Sequence, residues 1–290
     1  MHNLDKIIQQ ALVQLKQAPH IENPWTEILI LAQHFLNIDQ SELFTRKELE
    51  LDAKRANAFE NAVKKRRSAY PMAYLLGYKE FYNYRFWVNE SVLIPRPETE
   101  LLVEAIIDQI QKNHLADIPF SVCDLGAGSG VIGLSLIKTF PQITATFIEL
   151  SPEACQVCQK NIQAFNVIDR ALILNVDFFQ LSPKINPFQC IVSNPPYLDE
   201  QDPNIDAWVR QYEPRQALFS PNQGLRHIQA VIDFAKNHLI PNGLLGLEHG
   251  YQQGPFVEAY LGQNGFYIVK KIMDYQNYWR HTIATKRTKP

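Results

Sequence analysis

Asn194, Pro195, Pro196 and Tyr197 stand together behind the apolar run Ile191-Val192-Ser193. A proline has a fixed φ and no backbone N–H, so neither Pro195 nor Pro196 can continue a central ladder. Each also pushes its predecessor toward extended geometry, which puts Asn194 and Pro195 on one stiff segment. The expected product is a buried strand that stops abruptly and presents a carboxamide, a free carbonyl and an aromatic ring. Ligands of open α/β sheets bind at that carboxyl end. A fixed pair of acceptors suits a planar nitrogen that donates two hydrogen bonds, namely a carboxamide or an exocyclic amine.

Three further strand ends carry usable chemistry. Residues 121–125 read as a short strand, followed by Gly126-Ala127-Gly128-Ser129-Gly130 and a helix through Ile132, Leu134, Leu136 and Ile137. Glycines there let backbone approach a ligand closely, yet such turns serve NAD, FAD and S-adenosylmethionine proteins alike. The next strand, 144–148, ends at Glu149. An acid some twenty positions past the glycines suits two ribose hydroxyls, although Ser151 and Pro152 also make Glu149 an ordinary helix-start acid. A third strand, 171–176, leads to Asp177-Phe178-Phe179. That acid can accept from an adenine amino group while the ring packs on the base; a loop Asp with a core Phe is the alternative. Together the four strand ends outline one crevice.

Strands alternating with helices imply a parallel sheet with right-handed crossovers. The chain ahead of it reads differently. Leu4, Ile7, Ile8, Ala11, Leu12 and Leu15 recur at helical spacing. Asn23-Pro24 is a helix-opening pair for Trp25, Ile28, Leu29, Ala32 and Phe35. Residues 51–67 form another helix with Ala56, Phe59, Ala62 and Val63 inward, and no strand pattern precedes residue 78. The Lys64-Lys65-Arg66-Arg67 run suits a helix C-terminus, or a patch for an acidic partner. Aromatics flanking Asn83-Tyr84-Arg85 predict a hairpin, and Ile94-Pro95-Arg96-Pro97 a rigid connector. Glu98 or Thr99 then caps a helix through Leu101, Val103, Ile106 and Ile107.

Composition bounds the rest. The 290 residues are 46% hydrophobic and 20% charged, as in a globular protein with a sizeable core. A net charge of −2 gives no field for nonspecific nucleic-acid binding. Cys155 and Cys158 have CxxC spacing without a second pair, so they read as buried small side chains rather than a zinc or redox site. His249 and His281 lack metal-ligand spacing and read as structural, and no metal is expected. Glu213-Pro214-Arg215 reads as a loop over the substrate, with no chemistry assigned. With neither a signal peptide nor a membrane span in view, a reducing cytoplasm is the expected compartment, and a monomer the default state.

The 124–130 turn, Glu149, Asp177 and Asn194-Pro195-Pro196-Tyr197 resemble the motif set of class I S-adenosylmethionine-dependent methyltransferases acting on planar nitrogens. With the helical front, Ile94-Pro95-Arg96-Pro97-Glu98-Thr99-Glu100, Leu247-Glu248-His249-Gly250 and the 274–280 segment, the chain resembles the bacterial release factor glutamine methyltransferase (HemK/PrmC) family over nearly its whole length. The resemblance implies a Rossmann-like methyltransferase sheet at 94–290, a helical substrate-recognition domain at 1–77 and a β-hairpin linker at 78–93. It implies S-adenosylmethionine as cofactor and S-adenosylhomocysteine as product. Asp124 would lie near the cofactor ammonium, with Gly126, Ala127, Gly128, Ser129 and Gly130 at its methionine end. Glu149 would take the ribose, and Asp177 and Phe178 the adenine. Asn194 and the Pro195 carbonyl would hold the substrate glutamine, flanked by Pro196, with Tyr197 packed on its amide plane. Relatives often have Asp where Glu149 stands and Trp where Phe178 stands. The implied substrate is the Gly-Gly-Gln glutamine of class I peptide chain release factors, with no direct nucleic-acid substrate. A ribosomal-protein glutamine methyltransferase, an adenine-amino methyltransferase and a non-catalytic binding module are the alternatives.

Overall fold

The computed structural model describes residues 2–115, 117–180 and 187–287. The chain divides into two compact units, Met1–Gly77 and Tyr78–Pro290.

The first unit is helical. Its helices are α1 (Leu4–Lys16), α2 (Pro24–Leu31), α3 (Gln40–Thr45), α4 (Ala53–Arg67) and α5 (Met72–Leu76). Side chains cap four of them: Asn3, Asn23, Asp39 and Asp52 each accept from a first-turn backbone N–H, satisfying donors that a helix start leaves unpaired. The inward residues read from the periodicity, including Leu4, Ile7, Ala11, Leu15, Phe59 and Val63, form one buried cluster. Arg66 of the basic run is committed to Glu27 through two hydrogen bonds of 2.6 and 2.9 Å. One expectation fails here. Two-residue strands β1 (His2–Asn3) and β2 (Glu50–Leu51) pair antiparallel, too short to leave a period-two signature.

The second unit opens with the hairpin β3 (Tyr78–Phe81) and β4 (Tyr84–Trp87). Its turn is Tyr82-Asn83, both at positive φ, so Tyr84 and Arg85 belong to a strand rather than to the turn. A two-residue turn of this kind matches strand twist, and asparagine tolerates its geometry. Phe81 and Phe86 are buried in the same cluster as the sheet, which makes the hairpin part of this unit. Helix α6 (Pro97–Lys112) follows without any side-chain cap. Thr99 is turned inward instead, as described below.

Strands β5 (Phe120–Leu125), β6 (Ile143–Glu149), β7 (Ala171–Asn175), β8 (Phe188–Ser193), β9 (Leu239–Glu248), β10 (Phe266–Met273) and β11 (Trp279–Lys286) form one sheet in the order β10-β11-β9-β8-β5-β6-β7. The run from β9 to β7 is parallel, and β11 is antiparallel to both neighbours. Neighbouring residues on a strand enter different cores. Val122, Cys190, Val192 and Leu244 join one cluster with residues of α6, α7 (Val131–Thr139) and α8 (Pro152–Ala164). Cys123, Ile191, Leu245 and Leu247 join another with residues of α9 (Leu225–His238) and α10 (Gly254–Gln263). Apolar residues on both faces explain why these strands read as continuous hydrophobic runs. The chain steps from β5 to β6 and β7, then returns to place β8 on the other side of β5. Strand order reverses there, and the crevice beyond that point is where such sheets bind ligands.

Candidate active site

The carboxyl ends of β5, β6 and β8, with Asp177 beyond β7, open onto a cavity of about 890 Å³, within the range of small-molecule sites. Asp124, Gly126, Ala127, Gly128, Ser129, Glu149, Asp177, Phe178, Asn194 and Pro196 line it. Gly130, Pro195 and Tyr197 are not among its lining residues. Gly130 starts α7 at φ +81°, and a Cβ there would meet the Cys158 sulfur at 2.8 Å. It also permits close packing against α8.

At one end of the cavity the acids are held by backbone N–H groups. Asp124 Oδ2 accepts from Gly133 at 2.8 Å. That approach needs a glycine, since a Cβ at 133 would lie 2.6 Å from the Phe147 ring. Burial raises Asp124 to about 7 against the pull of the Gly133 bond, and the Glu149 charge adds to the rise. Glu149 accepts from Gly128 at 2.8 Å and from Ser151 at 2.9 Å. Both oxygens are thereby fixed at the strand end with lone pairs to spare. Asp177 accepts from the Phe179 N–H at 3.0 Å, and Phe178 stacks on Phe179 at 4.7 Å. Asn161, which the sequence did not single out, ties this end together. It is buried on α8, donates to the Trp87 and Ser129 carbonyls at 3.1 and 2.8 Å, and accepts from the Trp87 N–H at 2.7 Å.

The opposite end is built from buried and partly buried side chains. Asn194 Nδ2 donates to Thr99 Oγ1 at 3.2 Å, and Thr99 donates to Glu248 Oε2 at 2.7 Å. Tyr197 donates its hydroxyl proton to Glu248 Oε1 at 3.1 Å. Its ring packs against the second cluster. Burial, reinforced by the Glu248 charge, raises the Tyr197 phenol far above its ordinary range. Glu248 itself is 1% exposed. Burial alone would raise it, but the contacts with His281, Thr99 and Tyr197 together hold it below the usual carboxylate range. His281 Nε2 lies 3.3 Å from Glu248 Oε2, close enough for an ion pair but outside hydrogen-bond geometry. Neighbouring His249 is buried and neutral, lowered to about 4 chiefly by burial, with Thr282 and the Gly250 carbonyl as its partners.

The proline-bounded connector is also pinned. Glu213 is buried, accepts from the Ile94 N–H at 3.1 Å and pairs with Arg96. Arg96, Pro95 and Thr99 all line the cavity. Sequence reasoning marked 94–100 and Glu213 as notable without finding the bond that joins them, because 119 residues separate its ends. Cys155, expected to be buried, is half-exposed on α8, while Cys158 is buried. Burial, then the Glu149 charge, raises the Cys155 thiol to about 11, which leaves it unreactive.

A parallel sheet whose adjacent strand ends bear a glycine turn, an acid and an Asn-Pro-Pro-Tyr corner defines a Rossmann-like methyltransferase, and residues 98–218 match the methyltransferase small domain family. Residues 6–77 match the PrmC N-terminal domain. The release factor glutamine methyltransferase of Vibrio cholerae serotype O1 is 34% identical over 290 residues, covering 98% of this chain and 97% of its own. That of Escherichia coli K12 is 32% identical over 277 residues, 96% of each chain. Among solved structures, a ribosomal protein L11 methylase from Lactobacillus delbrueckii subsp. bulgaricus covers 69% of this chain and 84% of its own, at 18% identity and a TM-score of 0.49. The chain belongs to the release factor glutamine methyltransferase family. No helix among the described residues is long and apolar enough to cross a membrane.

Proposed function

We propose that this chain methylates the side-chain amide nitrogen of the glutamine in the Gly-Gly-Gln motif of class I peptide chain release factors. The cavity's donor set fits S-adenosylmethionine. A buried carboxylate at Asp124 matches an ammonium, Glu149 offers two oxygens to a ribose, and Asp177 with Phe178 offers an acceptor and a ring to adenine. When bound there, the cofactor supplies an electrophilic methyl group.

The chain's own residues do the rest. An amide nitrogen is a poor nucleophile because its lone pair is delocalised into the carbonyl. Asn194 Oδ1 and the Pro195 carbonyl accept its two N–H bonds and orient the nitrogen. They bind it more tightly as positive charge develops during transfer, which is the differential stabilisation catalysis requires. Holding the nitrogen in line lowers the entropic part of the barrier. Pro196 walls the cavity beside Asn194. Tyr197 braces the corner through Glu248, and its ring flanks the amide plane.

The observation that carries this reading is the Asn194 carboxamide lining the same cavity as the glycine turn and Glu149. The helical unit at 1–77 takes the role of partner recognition, the protein acts as a monomer in the cytoplasm, and no nucleic acid is its direct substrate. The test is mass spectrometry of a release factor after incubation with the protein and S-adenosylmethionine. One added methyl on the Gly-Gly-Gln glutamine is expected. Label found only in DNA or RNA would overturn the reading.

A further inference from the structure

We infer that Glu248, acting through Thr99, sets which end of the Asn194 carboxamide faces the cavity and is thereby a positioning residue for methyl transfer. The inference rests on the function proposed above and assigns a role to two residues outside the Asn-Pro-Pro-Tyr corner.

The argument is one of donor direction. The two ends of a carboxamide are alike in shape and opposite in hydrogen bonding: the oxygen accepts and the nitrogen donates. Asn194 turned by half a rotation would aim N–H at the N–H of its substrate. Something must choose between the two. An ionised Glu248 can only accept, so the single hydroxyl proton of Thr99 is committed to Oε2 at 2.7 Å. Thr99 Oγ1 then has only lone pairs left for Asn194, which must offer its Nδ2 at 3.2 Å. Oδ1 is left to face the other way, as an acceptor. Tyr197 is a second donor to Glu248, and His281 stands 3.3 Å away as a potential cation, so every neighbour favours Glu248 as a pure acceptor. Thr99 and Glu248 are 2% and 1% exposed. At the Thr99–Glu248 link water therefore cannot substitute for a misdirected partner, and a reversed link would set donor against donor or acceptor against acceptor.

Glu248→Gln tests this with almost no change of shape. Its amide can donate to Thr99, release the threonine proton toward Asn194 and turn the carboxamide round. The turnover number on full-length release factor is expected to fall about 10–100-fold while the cofactor dissociation constant stays within about twofold. Thr99→Val should lose a similar factor, and Thr99→Ser, which keeps the hydroxyl, should restore most of the turnover. The Thr99→Val/Glu248→Gln double variant should be no slower than the slower single variant, because both cut one relay. Wild-type turnover in Thr99→Val, or losses that multiply, would overturn the inference.

A second readout needs no methyl transfer. The Asn194 side-chain NH2 resonance, assigned by its loss in Asn194→Ala, should exchange slowly with solvent in the wild type and in Thr99→Ser, and rapidly in Thr99→Val. Should the wild type show that pattern yet leave release factors unmethylated, the proposed function fails and the relay stands. Methylation together with exchange indifferent to Thr99→Val would sink the relay alone.

Discussion

The two ends of the cavity are built on different principles. At the glycine-turn end each acid is held by a backbone N–H: Glu149 by Gly128, Asp124 by Gly133, Asp177 by Phe179, with partners 21, 9 and 2 residues apart. At the Asn194 end side chains hold side chains, across separations of 95, 149 and 51 residues. Backbone donors come with the fold and have one direction only. A buried side-chain network has to be satisfied as a whole, and its members can point the wrong way. The first end should therefore tolerate exchange among acceptors better than the second, where atom identity decides the direction of each bond.

The largest expected effect lies at the second end. In the proposed mechanism Asn194→Ala removes one of two acceptors that strengthen as the transferring nitrogen becomes positive, and turnover should fall by about 100–1000-fold or more. Cofactor affinity, measured by calorimetry, should move by no more than a few-fold. A parallel rise in the cofactor dissociation constant would break the separation between the two ends.

The same contrast explains what could be read in the sequence. The glycine turn, Glu149 and Asp177 each announce themselves within a strand–turn–helix segment, because the physics that places them is local. Asn194 was legible for the same reason, since two prolines impose stiffness on their own neighbours. Tyr197 was legible as an aromatic at the corner, but the bond from its hydroxyl to Glu248, 51 residues later, was not. Thr99 was read as a helix cap; it is the middle of the relay, and α6 begins uncapped. No local pattern distinguishes a capping threonine from one whose acceptor lies 149 residues later. Gly130 carries a second demand that the motif hides: it lies in the glycine turn and also permits the close approach of Cys158.

A smaller effect sharpens the description of the glycine-turn end. Asp124 titrates at about 7 in the free protein, and a bound ammonium favours its ionised form. Cofactor affinity should therefore climb as pH rises from about 6 to about 8, by at most about tenfold per unit, and level off above. The stability of the free protein should run the other way. In the unfolded chain this carboxyl titrates near 3.8, so the folded state holds an extra proton between the two values, and stability declines as pH rises through that window. Asp124→Asn should flatten both profiles, read by calorimetry and thermal denaturation. Turnover at saturating cofactor should keep its own pH profile, since the Asp124 carboxylate is held by the Gly133 N–H and not by a side chain of the Asn194 relay.

The smallest effect on chemistry is expected at Asn161. This side chain makes three hydrogen bonds to the backbone of Trp87 and Ser129, and Asn161→Ala would leave the buried Ser129 carbonyl and the partly buried Trp87 groups without it. The cost should be about 1–3 kcal/mol, a fall in melting temperature of roughly 3–10 °C for a unit of this size. Ser129 lines the cavity, so cofactor binding should weaken a few-fold as the turn loosens. Turnover at saturating cofactor should hold, because the turn's acids and the Asn194 relay are anchored by separate partners. Besides the β5–β8 ladder, a side-chain bond runs between the strands beneath the two ends: Ser193 donates to the Leu125 carbonyl at 2.6 Å. A turnover number that falls with Asn161→Ala even at saturation would mean that loosening the glycine turn reaches Asn194 through that bond. Adding Ser193→Ala should then contribute no further loss, whereas independent ends would show the two substitutions acting separately.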